Sequence, residues 1–93
     1  MMVVNFYATL RQVVGSRQVE FDLPLGVTLR QLIADIVARF PNLRKEMLDA
    51  QGSLYGHIHI FVNGRDSTFL EDSLDSVLEP GDIISIFPPV GGG

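Results

Sequence analysis

The residues best suited to chemistry lie in the segment Ile86-Phe87-Pro88-Pro89-Val90-Gly91-Gly92-Gly93. Two prolines lack the N–H groups that a central strand needs, so they end the preceding strand. They favour a stiff, extended exit from a folded body. Six residues from Pro88 onward reach at most roughly 20 Å when extended. Glycines at the tip carry no side chain and fit a narrow channel in a partner. The reactive group would be the α-carboxylate of Gly93, ionised at neutral pH because its reference pKa is about 3.3–3.7. A carboxylate is a poor electrophile. An activating enzyme would have to turn it into an acyl-adenylate, which could then accept sulfur or an amine. A frayed end that happens to finish in glycines is the alternative. The Phe-Pro-Pro-Val lead makes it the weaker one.

Other candidate clusters are thinner. His57 and His59 sit two apart on a strand pattern, but no third ligand lies nearby in sequence. Metal binding is therefore not expected. Glu71, Asp72 and Asp75 read as a solvated acidic loop. Gly52 and Gly56 match no phosphate-cradling pattern. No catalytic triad, acid–base pair or cofactor motif is found, so the chain reads as a carrier or co-substrate and not as an enzyme.

Composition narrows the field. With 93 residues, the chain has room for one domain. A net charge of −4 argues against nucleic acid and against anionic membranes. The absence of cysteine removes disulfides, thiolate metal sites and cysteine nucleophiles. Met1-Met2-Val3-Val4-Asn5 lacks the basic start of a signal peptide, and no apolar run is long enough for a bilayer. A soluble, cytoplasmic protein is expected.

The elements that must position the tail follow from periodicity. Residues 3–8 and 18–23 alternate as two strands, with Leu10 to Val14 a short helical turn between them. Thr28 and Gln31 fit a capping box. Leu29, Leu32, Ile33, Ile36, Val37 and Phe40 then form one apolar helical stripe that Pro41 stops. A short helical segment is expected over residues 43–48. Residues 57–62 form a third strand ending at the tight-turn signal Asn63-Gly64. A short fourth strand is expected at Thr68-Phe69-Leu70, and a buried helical turn at Leu74, Val77 and Leu78. Glu79-Pro80-Gly81-Asp82 suits a type II turn ahead of the last strand, residues 83–87.

This order predicts an α+β fold. An opening hairpin, a helical crossover and a last strand returning beside the first would make a β-grasp, or ubiquitin-like, domain, with a mixed four- to five-stranded sheet and one main helix on one face. The body spans residues 1–87 and the extended tail residues 88–93. The first, last and third strands should lie side by side. Val4, Phe6, Ile58, Ile60, Val62, Ile84 and Ile86 would face the helix. Tyr7, Phe61 and Phe87 would then share the open face with Asn5, His59 and Ser85, close to the tail. Three aromatics on an uncovered face suggest a protein interface.

A family resemblance rests on three stretches. Val4-Asn5-Phe6-Tyr7-Ala8 with Leu10-Arg11-Gln12-Val13-Val14-Gly15 is similar to the first strand and turn of the MoaD/ThiS sulfur carriers. Val62-Asn63-Gly64 resembles their central strand end. Gly81-Asp82-Ile83-Ile84-Ser85-Ile86-Phe87-Pro88-Pro89-Val90, followed by Gly92-Gly93, resembles their C-terminal signature, and it is the specific stretch of the three. The likeness covers essentially the whole chain and leans to the MoaD branch.

That resemblance implies a role. An E1-like, MoeB-like enzyme would use ATP to adenylate Gly93. A sulfurtransferase system would then make a thiocarboxylate there. A MoaE-like large subunit would accept the carrier as the small, non-catalytic subunit of molybdopterin synthase. Gly93 would bear the sulfur, while Gly92, Gly91, Val90, Pro89 and Pro88 thread into the partner. Tyr7 and Phe87 match partner-facing positions, and Arg11 matches one that pairs with acidic groups. Asp66 departs from the pattern, since a hydrophobic residue can stand there. No bound cofactor is implied. Two alternatives share the tail: a ubiquitin-like modifier joined to lysines through Gly93, and a ThiS-like carrier for another pathway.

Overall fold

The computed structural model describes residues 1–88. Strand β1 (Met2–Phe6) leads through Tyr7 into helix α1 (Ala8–Val14), and β2 (Gln18–Phe21) returns antiparallel to β1. Helix α2 (Leu29–Arg39) crosses over, followed by a 3-10 turn (Pro41–Leu43) and the short helix α3 (Arg44–Met47). Strands β3 (His59–Val62), β4 (Arg65–Asp66) and β5 (Ile83–Phe87) complete a five-stranded sheet. Its order is β2-β1-β5-β3-β4. The final strand lies in the middle, parallel to β1 and antiparallel to β3. This is the β-grasp arrangement, with the first, last and third strands adjacent.

Helix α2 begins where its sequence dictates. The Thr28 hydroxyl accepts from the Gln31 N–H, and the Gln31 side chain accepts from the Thr28 N–H, which completes the capping box. Its buried stripe is Leu29, Leu32, Ile33, Ile36 and Val37. Against it lie Val4, Phe6, Ile58, Ile60, Ile84 and Ile86, all buried in one core, with Val62 packed on its edge. Fully burying such a side chain contributes about 1.5–3 kcal/mol. The Phe6 and Phe40 rings meet edge to face at 6.3 Å and tie β1 to the end of the helix.

Turn chemistry fixes the registers. Asn63 and Gly64 both take positive φ, +52° and +84°, as a type I′ hairpin requires. Val62 therefore pairs with Arg65, and Phe61 with Asp66. At the entry to β5, Gly81 has φ +90° and the Asp82 N–H donates to the Glu79 carbonyl, the expected type II turn.

Three expectations are corrected. The fourth strand is Arg65–Asp66, not residues 68–70, because the two-residue turn pairs the chain with β3 at once. Ser67–Phe69 then closes as a 3-10 turn and leaves Phe69 74% exposed. Residues 74–78 do not form a buried helical turn. Ser73–Asp75 is 3-10, Leu78 is buried, and Val77 stays exposed while bridging to Thr28. The third strand starts at His59 and not at His57, whose ring instead stacks on Tyr55 at 4.9 Å.

Candidate functional site

Strand alternation puts Val4, Phe6, Ile84, Ile86 and Ile60 into the core, so their neighbours face the other way. Asn5 pairs with Ser85, Ser85 with Phe61, and Phe87 with His59 across the three central strands. The Tyr7 N–H donates to the Ile86 carbonyl at 3.3 Å, which carries the β1–β5 ladder one residue past the end of β1. Tyr7 thereby comes alongside Phe87. Their rings stack at 4.2 Å with 13° between planes. Phe61 meets Phe87 from the other side, edge to face at 5.4 Å. Phe87 is thus the middle of a three-ring row, each ring half-buried.

Arg11 belongs to the same cluster. Its Nε donates to the Phe6 carbonyl at 3.1 Å, and its guanidinium lies 5.6 Å from the centre of the Tyr7 ring. It is half-buried and spans the start of α1 and the end of β1. Ala8, directly after Tyr7, takes φ +52°, a left-handed conformation that turns the chain sharply into α1.

Beyond Phe61 the row ends at Asp66. Its Oδ1 accepts from the Thr68 N–H at 2.9 Å and the Thr68 hydroxyl at 2.8 Å. Those two bonds hold its carboxyl below the ordinary aspartate pKa, with a smaller push from His59. Its Oδ2 lies 3.7 Å from His59 Nδ1. His59, Phe61, Asp66, Phe87 and the buried Pro88 line a shallow, mostly apolar hollow of about 360 Å³. Composition alone did not single out this hollow. Counting back from the Asn63-Gly64 turn would have placed Asp66 opposite Phe61.

The structure thus brings together Tyr7, Arg11, Phe61, Phe87 and Pro88. The remaining tail residues Pro89, Val90, Gly91, Gly92 and Gly93 lie outside the described residues. His57 and His59 engage different neighbours, Tyr55 and Asp66. Among the described residues, no three His, Cys, Asp or Glu side chains are placed to hold a metal ion. No helix among them is long and apolar enough to cross a membrane.

A mixed β-grasp sheet whose middle strand runs out beside an aromatic face defines a ubiquitin-like protein. The chain belongs to the ThiS family, whose model matches residues 4–93. It is 30% identical over 90 residues to small archaeal modifier protein 3 of Haloferax volcanii, covering 97% of this chain and 96% of that one. It is also 30% identical over 90 residues to the human molybdopterin synthase sulfur carrier subunit, covering 97% and 91%. The crystal structure of SAMP1 from Haloferax volcanii superposes with a TM-score of 0.89 at 32% identity, covering 99% of this chain and 98% of that one. The family is one of small sulfur carriers and modifiers.

Proposed function

We propose that this protein is a sulfur carrier for molybdopterin synthesis and the small subunit of a molybdopterin synthase. The observation that carries the reading is the position of Phe87. It is the last residue of the middle strand, the centre of the aromatic row, and the residue from which the Pro-Pro-Val-Gly-Gly-Gly tail departs. A partner seated on Tyr7, Phe61 and Phe87 would have the tail at the edge of its own contact surface. The body docks with Pro88 packed in its hollow, and the residues after Pro88 reach inward.

In this reading an E1-like enzyme joins the Gly93 carboxylate to AMP from ATP, with release of pyrophosphate. The terminal sulfur of a sulfurtransferase persulfide displaces AMP to give an acyl disulfide. A thiol reductant cleaves its S–S bond, leaving the thiocarboxylate on Gly93 and a disulfide on the reductant. A MoaE-like large subunit then binds the carrier, the sulfur passes to a cyclic pterin precursor, and water restores the Gly93 carboxylate. The chain contributes position and a leaving surface, while ATP binds the activating enzyme. The human relative's name supports this reading. The reaction belongs in the cytoplasm, where ATP is available.

A second reading is favoured by the relative named as a modifier. The same acyl-adenylate can accept a lysine amine and yield an isopeptide conjugate. Lys45, the one lysine of the sequence, is exposed, so self-conjugates would form there or at the N-terminus.

The test is the intact mass of protein purified from its own host. Sulfur in place of one terminal oxygen is expected. Mass added by a second polypeptide, resistant to thiol reductants, would favour the modifier. Deleting Gly92-Gly93 should abolish sulfur transfer and leave the fold intact. Transfer retained by that truncation would overturn both readings.

A further inference from the structure

We propose that Asp66 makes the aromatic face select a partner that presents an arginine side chain within an apolar patch. The proposal rests on the docking role assigned above to this face and names what the face recognises.

The argument starts from the two oxygens of one carboxylate. Oδ1 is occupied by the Thr68 N–H and hydroxyl. Oδ2 faces His59 Nδ1 at 3.7 Å, beyond hydrogen-bond distance, and His59 makes only the smaller contribution to the lowered Asp66 pKa, after Thr68. The Asp66 side chain is 19% exposed, against 54% for His59. The carboxyl is ionised at neutral pH as any ordinary aspartate is, and the Thr68 bonds favour the charged form further. A negative charge thus stands at the wall of a hollow otherwise built by Phe61, Phe87, Pro88 and the His59 ring.

A partner that covers the hollow with purely apolar groups would bury this charge with no charge partner among the described residues nearer than His59 Nδ1 at 3.7 Å. That desolvation cost works against the contact. A guanidinium meets both requirements of the hollow. Its plane lies on aromatic faces, and its N–H groups donate to the open Oδ2. A lysine ammonium is more strongly hydrated and offers no plane to stack, so it fits the hollow less well. The chain's net charge of −4 adds a long-range preference for a basic partner surface.

The test titrates the ¹⁵N-labelled full chain with acetyl-arginine amide and, separately, acetyl-lysine amide, following the amides of His59, Phe61, Asp66 and Phe87. The arginine probe should give saturable shifts at these amides, with the lysine probe clearly weaker. Asp66→Asn keeps an oxygen for Thr68 and removes the charge. It should lower arginine affinity by about threefold, the scale of a partly exposed ion pair. No localised shifts, equal response to both probes, or unchanged affinity in Asp66→Asn would overturn the proposal. The intact-mass measurement separates it from the carrier reading. Sulfur-loaded protein without an arginine response overturns the Asp66 proposal alone, and an arginine response on protein that never loads sulfur overturns the carrier reading alone.

Discussion

The rings of Tyr7 and Phe87 stack at 4.2 Å across two parallel strands, although 80 positions separate them in the chain (87 − 7). The pair ties the entrance of α1 to the last residue before the tail. A double-mutant cycle with Tyr7→Ala and Phe87→Ala should give a coupling of about 0.5–1.5 kcal/mol in urea unfolding. Each single variant should remain folded, since neither ring belongs to the main core. A coupling near zero would mean that the two rings are neighbours without interacting.

The capping box supplies a second prediction. Thr28→Ala removes the acceptor for the Gln31 N–H and should cost about 1 kcal/mol. For a domain of this size that corresponds to a drop of about 4–8 °C in Tm. Thr28→Asp retains an acceptor at the cap and should stay near the parent value. Calorimetry of the two variants separates cap loss from a general effect of substitution.

Ala8 gives a third. An L-residue in the left-handed region is disfavoured by roughly 1–2 kcal/mol, while glycine adopts it freely. Ala8→Gly should therefore stabilise the protein, by up to about 1 kcal/mol after the added unfolded-chain entropy. Ala8→Val should destabilise by about 1 kcal/mol or more, because branching at Cβ worsens the same conformation. Glycine at this site would lower the urea midpoint if α1 tolerated Ala8 without strain.

Acid titration gives a fourth. The folded state holds the Asp66 carboxyl below its ordinary value through Thr68. The unfolded chain therefore binds its proton first as pH falls. The stabilising contribution is complete above the unfolded aspartate value of about 3.9, and it is lost as pH falls from there through the lower folded value. Asp66→Asn should flatten this part of the stability–pH curve and leave the curve above pH of about 5 parallel to the parent. A series of urea unfolding curves from acid to neutral pH reads this directly.

Much of this architecture was legible in particular residues. The stripe from Leu29 to Val37 could bury itself only on a sheet, and Thr28 with Gln31 marked its start. Asn63-Gly64 and Pro80-Gly81 announced two turns whose φ values leave few alternatives. The open-face aromatics followed from strand parity, which needs no knowledge of distant contacts. Residues 65–78 were less legible. Thr68-Phe69-Leu70 has the composition of a strand, but the tight turn had already spent the pairing on Arg65 and Asp66. The side chain of Asp66 then capped a 3-10 turn in which Phe69 faces solvent. Local propensity lost there to register. The hollow at Asp66 was hidden for a related reason, since it joins β3, β4 and β5 and becomes visible once their pairing is known.

The central position of β5 has a mechanical consequence. A pull exerted on the chain beyond Pro88 enters the sheet through its middle strand, which is bonded to β1 on one side and β3 on the other. Ladder hydrogen bonds lie across the strand direction. Force along β5 therefore loads both ladders in shear, many bonds together, and does not peel them apart one at a time. An end attached to an edge strand such as β2 would have a single ladder to resist the same tug. A partner can draw this terminus taut while the domain that carries it stays whole.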